Sequence, residues 1–294
     1  MRMNYVSKIK LNLKRYEKIH TNKATSVVFD GSYNSVYKGR SMEFDELREY
    51  VVGDDIKDVD WKASSRSRNL LVKQYIAEKK HNIMLVMDTN KRMLAYSNET
   101  QEKCEVAYMC AGTLAYLVNK NGDFVSATFA TKKSIDYYPF KMGLVNVENI
   151  MANYHRNVTM DNMSNINQPL DYIVRNFRRR MIILIVTDIE GIRSIPESTL
   201  KRLCVLHDVL IVNVEDTNAE GLNVYDVEGE HYLSDFFTSD KKLARLEREK
   251  KQRVYDECMD KLTRYNITSS TISETKDIDL KIAELLSKHK NGKR

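Results

Sequence analysis

Two apolar stretches decide the fold: MIILIVTD at residues 181–188 and IMLVMD at residues 83–88. Each is an unbroken apolar run that ends in an aspartate, and neither alternates polar with apolar residues. This pattern is typical of strands that are buried on both faces, as in parallel sheets. A third run of the same character, VLIVNV, occupies residues 209–214.

Helical segments separate these runs. Residues 98–118 place Ala107, Cys110, Ala111 and Leu114 on one face, with Asn98 as the predicted N-cap. The pattern predicts further helices at 145–154, 170–179, 196–207, 241–265 and 278–286, strands at 124–130 and 267–272, and an antiparallel strand at 134–138. Alternating strands and helices predict an α/β fold with a doubly wound, mostly parallel sheet from His81 to Ser287.

The residues before this sheet have a different pattern. Short β-prone pieces at Ser26–Phe29, Val36–Lys38 and Leu70–Tyr75 alternate with polar turns. We therefore expect three parts: a basic N-terminal arm at 1–25, a small β-rich lobe at 26–80, and the sheet domain at 81–294. The lobe is too short for a sheet that is stable alone, so we expect it to pack on the residues that follow.

Asp88 and Asp188 are the first functional clue. Ligands of doubly wound sheets bind beyond the carboxyl ends of the strands, and both aspartates follow such an end. We expect the two side chains to be adjacent at one edge of the sheet. An alternative is that each aspartate only caps the next turn or helix.

Composition limits the class of protein. The chain has 294 residues, 42% hydrophobic and 30% charged, with a net charge of +6. The four cysteines form no C-x-x-C pair, and no apolar run approaches the ~20 residues of a membrane span, so we expect a reduced cytoplasmic protein. Basic residues cluster at both ends, and we favour the interpretation that they are solvated termini. Nucleic-acid binding through these basic ends, which should weaken steeply with salt, is a third alternative.

Several enzyme motifs are absent. The sequence has no P-loop, no G-x-G-x-x-G after a strand, no G-x-S-x-G and no H-E-x-x-H. One acidic cluster, Asp54, Asp55, Asp58 and Asp60, has the density to hold Mg²⁺. Basic residues interleave with it, however, and we favour internal ion pairing.

That cluster lies in a distinctive block, EFDELREYVVGDDIKDVDWKASSR at residues 43–66. The block resembles the signature of the bacterial family called domain of unknown function 58, which is roughly E-F-x-x-L-R-x-Y-x-x-G-D-D-x-R-x-I-D-W-x-x-S-A-R. As in that family, L-x-V-K (Leu70 to Lys73) and a strand that ends in an aspartate come next. The matching residues are Glu43, Phe44, Leu47, Arg48, Tyr50, Gly53, Asp54, Asp55, Asp60, Trp61, Ser64 and Arg66.

The resemblance implies a von Willebrand factor A-like domain with a small β-rich extension, and a partnership with a MoxR-type AAA ATPase. Adhesion-type metal sites of such domains read D-x-S-x-S after the first strand. Here Asp88, Asn90 and Arg92 stand at those positions, and Asp188 matches the later aspartate. Guanidinium cannot ligate a metal, so the resemblance implies a degenerate site. We expect no cofactor, although Mg²⁺ remains the ion that such a site would take.

These inferences predict a non-enzymatic adaptor that holds a client protein for the ATPase. The alternative is a Mg²⁺-dependent enzyme acting on phosphate esters through the clustered aspartates. We further expect Arg92, or else Lys91, to replace the metal ion electrostatically. We also expect the block at 43–66 to be a scaffold and docking face in which Trp61 is buried.

Overall fold

The computed structural model describes residues 4–19, 43–67, 69–76, 80–98, 100–216, 225–226, 231–232 and 241–292. The chain divides into two compact units. One comprises Met1–Val36 and His81–Arg294, and the other is Tyr37–Lys80. The predicted β-prone pieces at 26–29 and 36–38 lie outside the described residues, and the predicted boundaries at 25 and 80 stay predictions.

A six-stranded sheet forms the centre of the larger unit. Its strands are β3 (Asn82–Met87), β4 (Phe124–Ala130), β5 (Ile135–Lys141), β6 (Ile182–Thr187), β7 (Asp208–Val214) and β10 (Thr268–Ile272). The order is β10-β7-β6-β3-β4-β5. All neighbours are parallel except β4 and β5, which pair antiparallel. The predicted fold class, an α/β protein with a doubly wound and mostly parallel sheet, is confirmed.

Helices pack around this sheet. They are α1 (Tyr5–Ile19), α3 (Lys103–Lys120), α4 (Leu144–Asn157), α5 (Asn167–Asn176), α6 (Ile189–Ser194), α7 (Glu197–Leu206), α8 (Lys241–Arg264) and α9 (Ile278–Gly292). A short strand pair, β8 (Tyr225–Asp226) and β9 (His231–Tyr232), is also present. Every residue of β6 is buried, as its unbroken apolar run predicts. Among the described residues, no helix is both long and apolar enough to span a bilayer.

Helix α3 begins five residues later than predicted, because Asn98 has another role. Its side-chain oxygen accepts hydrogen bonds from the backbone N–H of Thr100 and of Gln101, at 2.9 and 3.0 Å. This closes a polar turn ahead of the helix, and the helix starts at Lys103. The side chain that resembles an N-cap in the sequence is therefore a turn-former.

Helix α1 corrects the interpretation of the N-terminal residues as a solvated arm. Tyr5, Val6 and Ile9 are buried, although the helix is largely polar in composition. Glu148 on α4 accepts the backbone N–H groups of Tyr5 and Val6 at 2.9 and 2.7 Å. Gly112 on α3 leaves the space that Ile9 fills, since a Cβ there would lie 2.3 Å from Ile9 Cδ1. The first turns of α1 are thus part of the larger unit.

The smaller unit is built on an antiparallel pair. Strand β1 (Glu43–Glu49) pairs with β2 (Leu71–Ile76), and the single-turn helix α2 (Trp61–Ser64) lies between them in sequence. A short 3₁₀ helix, Ile56–Asp58, precedes α2. Val59 and Val72 are buried side chains of this unit.

Candidate functional site

The two aspartates meet at the carboxyl edge of the sheet, as the strand pattern predicts. Strands β3 and β6 are direct neighbours, and the backbone N–H of Asp88 donates to the carbonyl of Val186 at 2.9 Å. Both aspartate side chains are buried. A buried carboxylate is stable only where donors or cations surround it, so the neighbours of these two residues define the site.

Local hydrogen bonds hold both carboxylates. Thr187 Oγ1 donates to Asp88 Oδ2 at 2.6 Å, and the N–H of Asn90 donates to Asp88 Oδ1 at 3.0 Å. The N–H of Gly191 donates to Asp188 Oδ1 at 2.8 Å, which makes Asp188 the N-cap of α6. The capping interpretation is therefore correct for Asp188, and it coexists with the cluster described next.

Arg92 joins the two carboxylates. Its Nε lies 3.2 Å from Asp188 Oδ2, and its Nη2 lies 3.5 Å from Asp88 Oδ2. A 3₁₀ turn, Lys91–Leu94, positions it, and the side-chain oxygen of Asn90 caps that turn by accepting the N–H of Arg92 at 3.0 Å. The side chain of Arg92 is 21% exposed, so the guanidinium lies at the surface end of the cluster.

A second cation, Lys103, completes the cluster from the other side. Its Nζ lies 2.9 Å from Asp188 Oδ2 and also pairs with Asp216, which follows β7. Lys103 is the first residue of α3 and is buried. Sequence reasoning missed it, because a lysine in the first turn of a helix gives no signal that it points inward. Lys91, the other lysine considered, is buried too, and its backbone N–H donates to the carbonyl of Asn162 at 2.8 Å.

The pKa values of the two aspartates shift in opposite directions, because the cations act more strongly on Asp188 than on Asp88. Burial raises the pKa of Asp88, and the nearby charge of Asp188 raises it further. Burial acts in the same direction on Asp188, but Lys103 and Arg92 outweigh it and lower the pKa of Asp188. Burial would lower the pKa of Lys103, yet Asp188 and Asp216 raise it. Lys103 therefore stays charged, and Asp188 is its fixed counter-ion.

Hydrogen bonds join the segment that follows β3 to the segment that precedes α5. Asn90 Nδ2 donates to the backbone carbonyl of Ser164 at 2.8 Å, and Ser164 Oγ lies 3.0 Å from Thr89 Oγ1. Thr159, five residues before Ser164, donates its hydroxyl to Asp161 at 2.7 Å.

In the smaller unit, the acidic signature residues form hydrogen bonds and ion pairs with other residues of the same unit. Arg48 donates two hydrogen bonds to Asp54, at 2.7 and 2.6 Å. Asp55 caps the 3₁₀ helix, and Asp60 caps α2 and pairs with Lys73 at 3.4 Å. Ion pairing, the interpretation that we favour from the sequence, thus holds for Asp54 and Asp60, whereas Asp55 acts as a cap.

Other signature residues shape the same unit. Ser64 Oγ accepts the N–H of Leu71 at 2.8 Å, and the N–H of Tyr50 donates to the carbonyl of Leu70. Gly53 has φ +115°, a conformation that other residues rarely adopt. Glu43, Phe44 and Leu47 lie in β1, and Arg66 is exposed just after α2.

The predicted burial of Trp61 is wrong. Its side chain is 62% exposed, and the nearby Val52 and Ile56 are 95% and 65% exposed. The physical reason is size: a two-stranded sheet with a single-turn helix is too small to enclose an indole ring. The signature block consequently presents apolar side chains on a framework of polar contacts.

A family model described as "Protein of unknown function DUF58" matches residues 46–258, well over half of the chain. The chain belongs to the DUF58 family. Uncharacterized proteins of Mycobacterium tuberculosis and Mycobacterium bovis are 24% identical to it over 194 residues, which is 64% of this chain and 60% of each relative. The chain thus spans less than two thirds of the length of these relatives.

Solved structures with a similar fold include proteins of several kinds. BatB from Bacteroides thetaiotaomicron is 12% identical, with a TM-score of 0.46 over 71% of this chain and 98% of that one. An aerotolerance-related membrane protein from Bacteroides fragilis is 13% identical, with a TM-score of 0.45 over 71% and 99%. A von Willebrand factor type A protein from Catenulispora acidiphila is 11% identical, with a TM-score of 0.41 over 73% and 43%.

The adhesion-type metal site that the DUF58 resemblance implies does not fit these residues. Asp188 Oδ2 already contacts an ammonium and a guanidinium, and the oxygen of Asn90 is used as a cap. Within the described part of the chain, no three His, Cys, Asp or Glu side chains converge in a way that could hold a metal ion. Two cations at the shared carboxylates would repel a divalent ion.

Proposed function

We propose that this DUF58 protein is a non-enzymatic interaction module that works in the cytoplasm with a MoxR-type AAA ATPase. The ATPase supplies the energy of ATP hydrolysis, and this chain holds the client protein on which that energy acts. The family resemblance supports the choice of ATPase. The structure of the signature block supports the interaction role.

The observation that carries the proposal is a surface on the smaller unit. We call Val51, Val52, Ile56 and Trp61 the signature surface, and all four are more than half exposed. They fall within eleven consecutive residues that tight turns fold back on themselves, since Asp54 N–H bonds to Val51 O and Asp58 N–H to Asp55 O. Tryptophan is enriched among the hot spots of protein interfaces, and exposed apolar side chains in one segment mark an interaction site.

Polar contacts hold the turns that carry the signature surface before a partner arrives. The paired hydrogen bonds from Arg48 to Asp54 fix the turn that carries Val51 and Val52. Asp60 and Ser64 fix α2, and with it Trp61. Preorganised apolar side chains lose little conformational entropy on binding, which favours affinity.

The alternative, a Mg²⁺-dependent phosphate-ester enzyme, has less support. It requires carboxylate oxygens that are available to metal ions. Asp54 is instead committed to Arg48, Asp60 to α2 and Lys73, and Asp188 to Arg92 and Lys103. These commitments favour the interaction module over the enzyme.

The chain offers a direct test, because Trp61 is its only tryptophan. Its fluorescence emission should shift to shorter wavelength when a purified MoxR-type ATPase from the same organism is titrated in. Val52→Ser keeps the reporter and should weaken binding at least about tenfold, since fully burying a valine side chain contributes about 1.5–3 kcal/mol and a tenfold change in affinity is about 1.4 kcal/mol. Val205→Ser, on the exposed face of α7, is the matched control and should leave the affinity unchanged.

Two results would contradict the proposal. One is the absence of any fluorescence change or complex with the ATPase in the presence of ATP or ADP. The other is equal affinity of the parent and Val52→Ser. Hydrolysis of p-nitrophenyl phosphate that needs Mg²⁺ and is lost in Asp188→Asn would favour the enzyme instead.

A further inference from the structure

Two cations meet the aspartates at the carboxyl edge of the sheet. Arg92 and Lys103 contact Asp88 and Asp188, and Lys103 also pairs with Asp216. A divalent ion carries the same total charge as this pair of side chains. We propose that Arg92 and Lys103 together occupy the electrostatic place of a divalent cation, so that the site is complete without metal. This inference concerns the larger unit and does not depend on the proposed ATPase partner.

The geometry of the two cations resembles the geometry of a bridging ion. Arg92 comes from the turn after β3, and Lys103 comes from the start of α3. Both reach the same oxygen, Asp188 Oδ2, at 3.2 and 2.9 Å. Arg92 also reaches Asp88 at 3.5 Å, so one cation spans both carboxylates. The pair thus links the ends of two neighbouring strands to two further segments, as a metal with several ligands would.

Two side chains offer an advantage over a bound ion. They are part of the chain, so no ion must be captured from solution and none can be removed by a chelator. Buried charges require well-placed partners, and Lys103 has such partners in Asp188 and Asp216. Arg92, which stands where a metal site would have a hydroxyl residue, therefore supplies only one of the two positive charges that replace the ion. Lys103 supplies the other.

The replacement also changes what this edge presents to a partner. A metal site would offer a single open coordination position. Here the most accessible members of the cluster are Arg92, 21% exposed, and Asp216, 35% exposed. A partner at this edge meets a positive and a negative side chain, which select for paired charges of both signs.

Manganese titration tests the proposal. We expect the parent protein to show no saturable Mn²⁺ binding by calorimetry or electron paramagnetic resonance up to about 1 mM, the weak end of protein sites for divalent ions. Its melting temperature should be the same with Mn²⁺ and with EDTA. The double variant Arg92→Ser/Lys103→Met should bind one Mn²⁺ at least tenfold more tightly than that 1 mM limit, with a dissociation constant of about 0.1 mM or less. Mn²⁺ should also raise the melting temperature of this variant.

The matched control is Lys132→Met, which removes an exposed lysine outside the cluster and should behave as the parent does. Saturable Mn²⁺ binding by the parent that is lost in Asp188→Asn overturns the proposal, and so does a folded double variant that binds no Mn²⁺. If the double variant folds only with Mn²⁺, the proposal is supported. If it folds in neither condition, the milder double variant Arg92→Gln/Lys103→Gln, whose amides can still hydrogen-bond to the carboxylates, decides: acquired Mn²⁺ binding supports the proposal and its absence in the folded variant refutes it.

Discussion

Lys103 Nζ and Asp188 Oδ2 lie 2.9 Å apart, and both side chains are buried, although 85 positions separate the residues in sequence. This pair connects the first residue of α3 to the residue that directly follows β6. It holds a helix on one side of the sheet in a fixed position relative to the carboxyl edge.

Lys103→Met should destabilise the larger unit by about 3–5 kcal/mol, since removing one partner of a buried ion pair leaves the other charge uncompensated. Urea unfolding followed by circular dichroism measures the loss. Lys132→Met, which breaks an exposed pair with Asp161, should cost less than about 1 kcal/mol. Adding Asp188→Asn to Lys103→Met should recover part of the loss, and a purely additive double variant would contradict the pairing.

Gly191→Ala should destabilise the same unit by about 1–3 kcal/mol or more through overpacking. A Cβ at this position would lie 1.8 Å from Thr187 Oγ1 and 2.9 Å from Asp88 Oδ2, and these two atoms are hydrogen-bonded to each other. Glu190→Ala, at the half-buried neighbouring position, should change stability by less than about 0.5 kcal/mol. Equal melting temperatures for both variants would contradict this prediction and show that the residues around Gly191 move to make room for the methyl group.

Glu148→Ala should loosen helix α1 from the larger unit. Glu148 accepts two backbone N–H groups at the start of α1, so its loss should cost about 1–2 kcal/mol, as for a strong N-cap. Hydrogen exchange of residues 5–12 should speed up, while β3 and β6 stay protected. Unchanged exchange in α1 would mean that burial of Tyr5 and Ile9 alone holds the helix.

Trp61→Ala should change the free energy of unfolding by less than about 1 kcal/mol, because the indole is largely exposed. Phe129→Ala, a fully buried aromatic residue on β4, should cost about 3–5 kcal/mol. Denaturant melts of the two variants compare them directly. A loss for Trp61→Ala as large as that for Phe129→Ala would mean that the indole is buried after all.

The smaller unit should lose stability in acid. Hydrogen bonds from Arg48, with a further one from the backbone of Val51, lower the pKa of Asp54 to about 2. Since the unfolded value is near 3.9, the stabilisation is present above about pH 4 and is lost as the pH falls toward 2. Carbon-13 NMR titration of the Asp54 carboxyl measures this pKa. Arg48→Gln should raise it toward the unfolded value, and an unchanged pKa would exclude the Arg48 pairing.

The sheet was predictable from the sequence because burial on both faces leaves a clear signal. The runs at 83–88 and 181–188 have the length of a strand and are short for a helix, and parallel pairing then brings Asp88 and Asp188 together. Arg92 was accessible to reasoning because it lies four residues from Asp88. Its role in place of an ion stays a prediction.

Lys103 and Trp61 show where local sequence is insufficient. A lysine in the first turn of a helix is normally solvated, and only the path of β6 and β7 brings Asp188 and Asp216 to it. An isolated tryptophan among apolar residues resembles a core residue. Whether it is enclosed depends on the volume of the surrounding unit, which residue type does not encode.

The position of β6 next to β3 also has a consequence for how the chain is synthesised. Strands β4 and β5 and helices α4 and α5 all leave the ribosome before β6, so β3 emerges long before its second neighbour exists. Such non-local pairing folds slowly, and an unpaired apolar strand is prone to aggregate. During translation, the nascent chain therefore carries an open edge at β3, and the speed of elongation sets how long that edge needs protection by a chaperone.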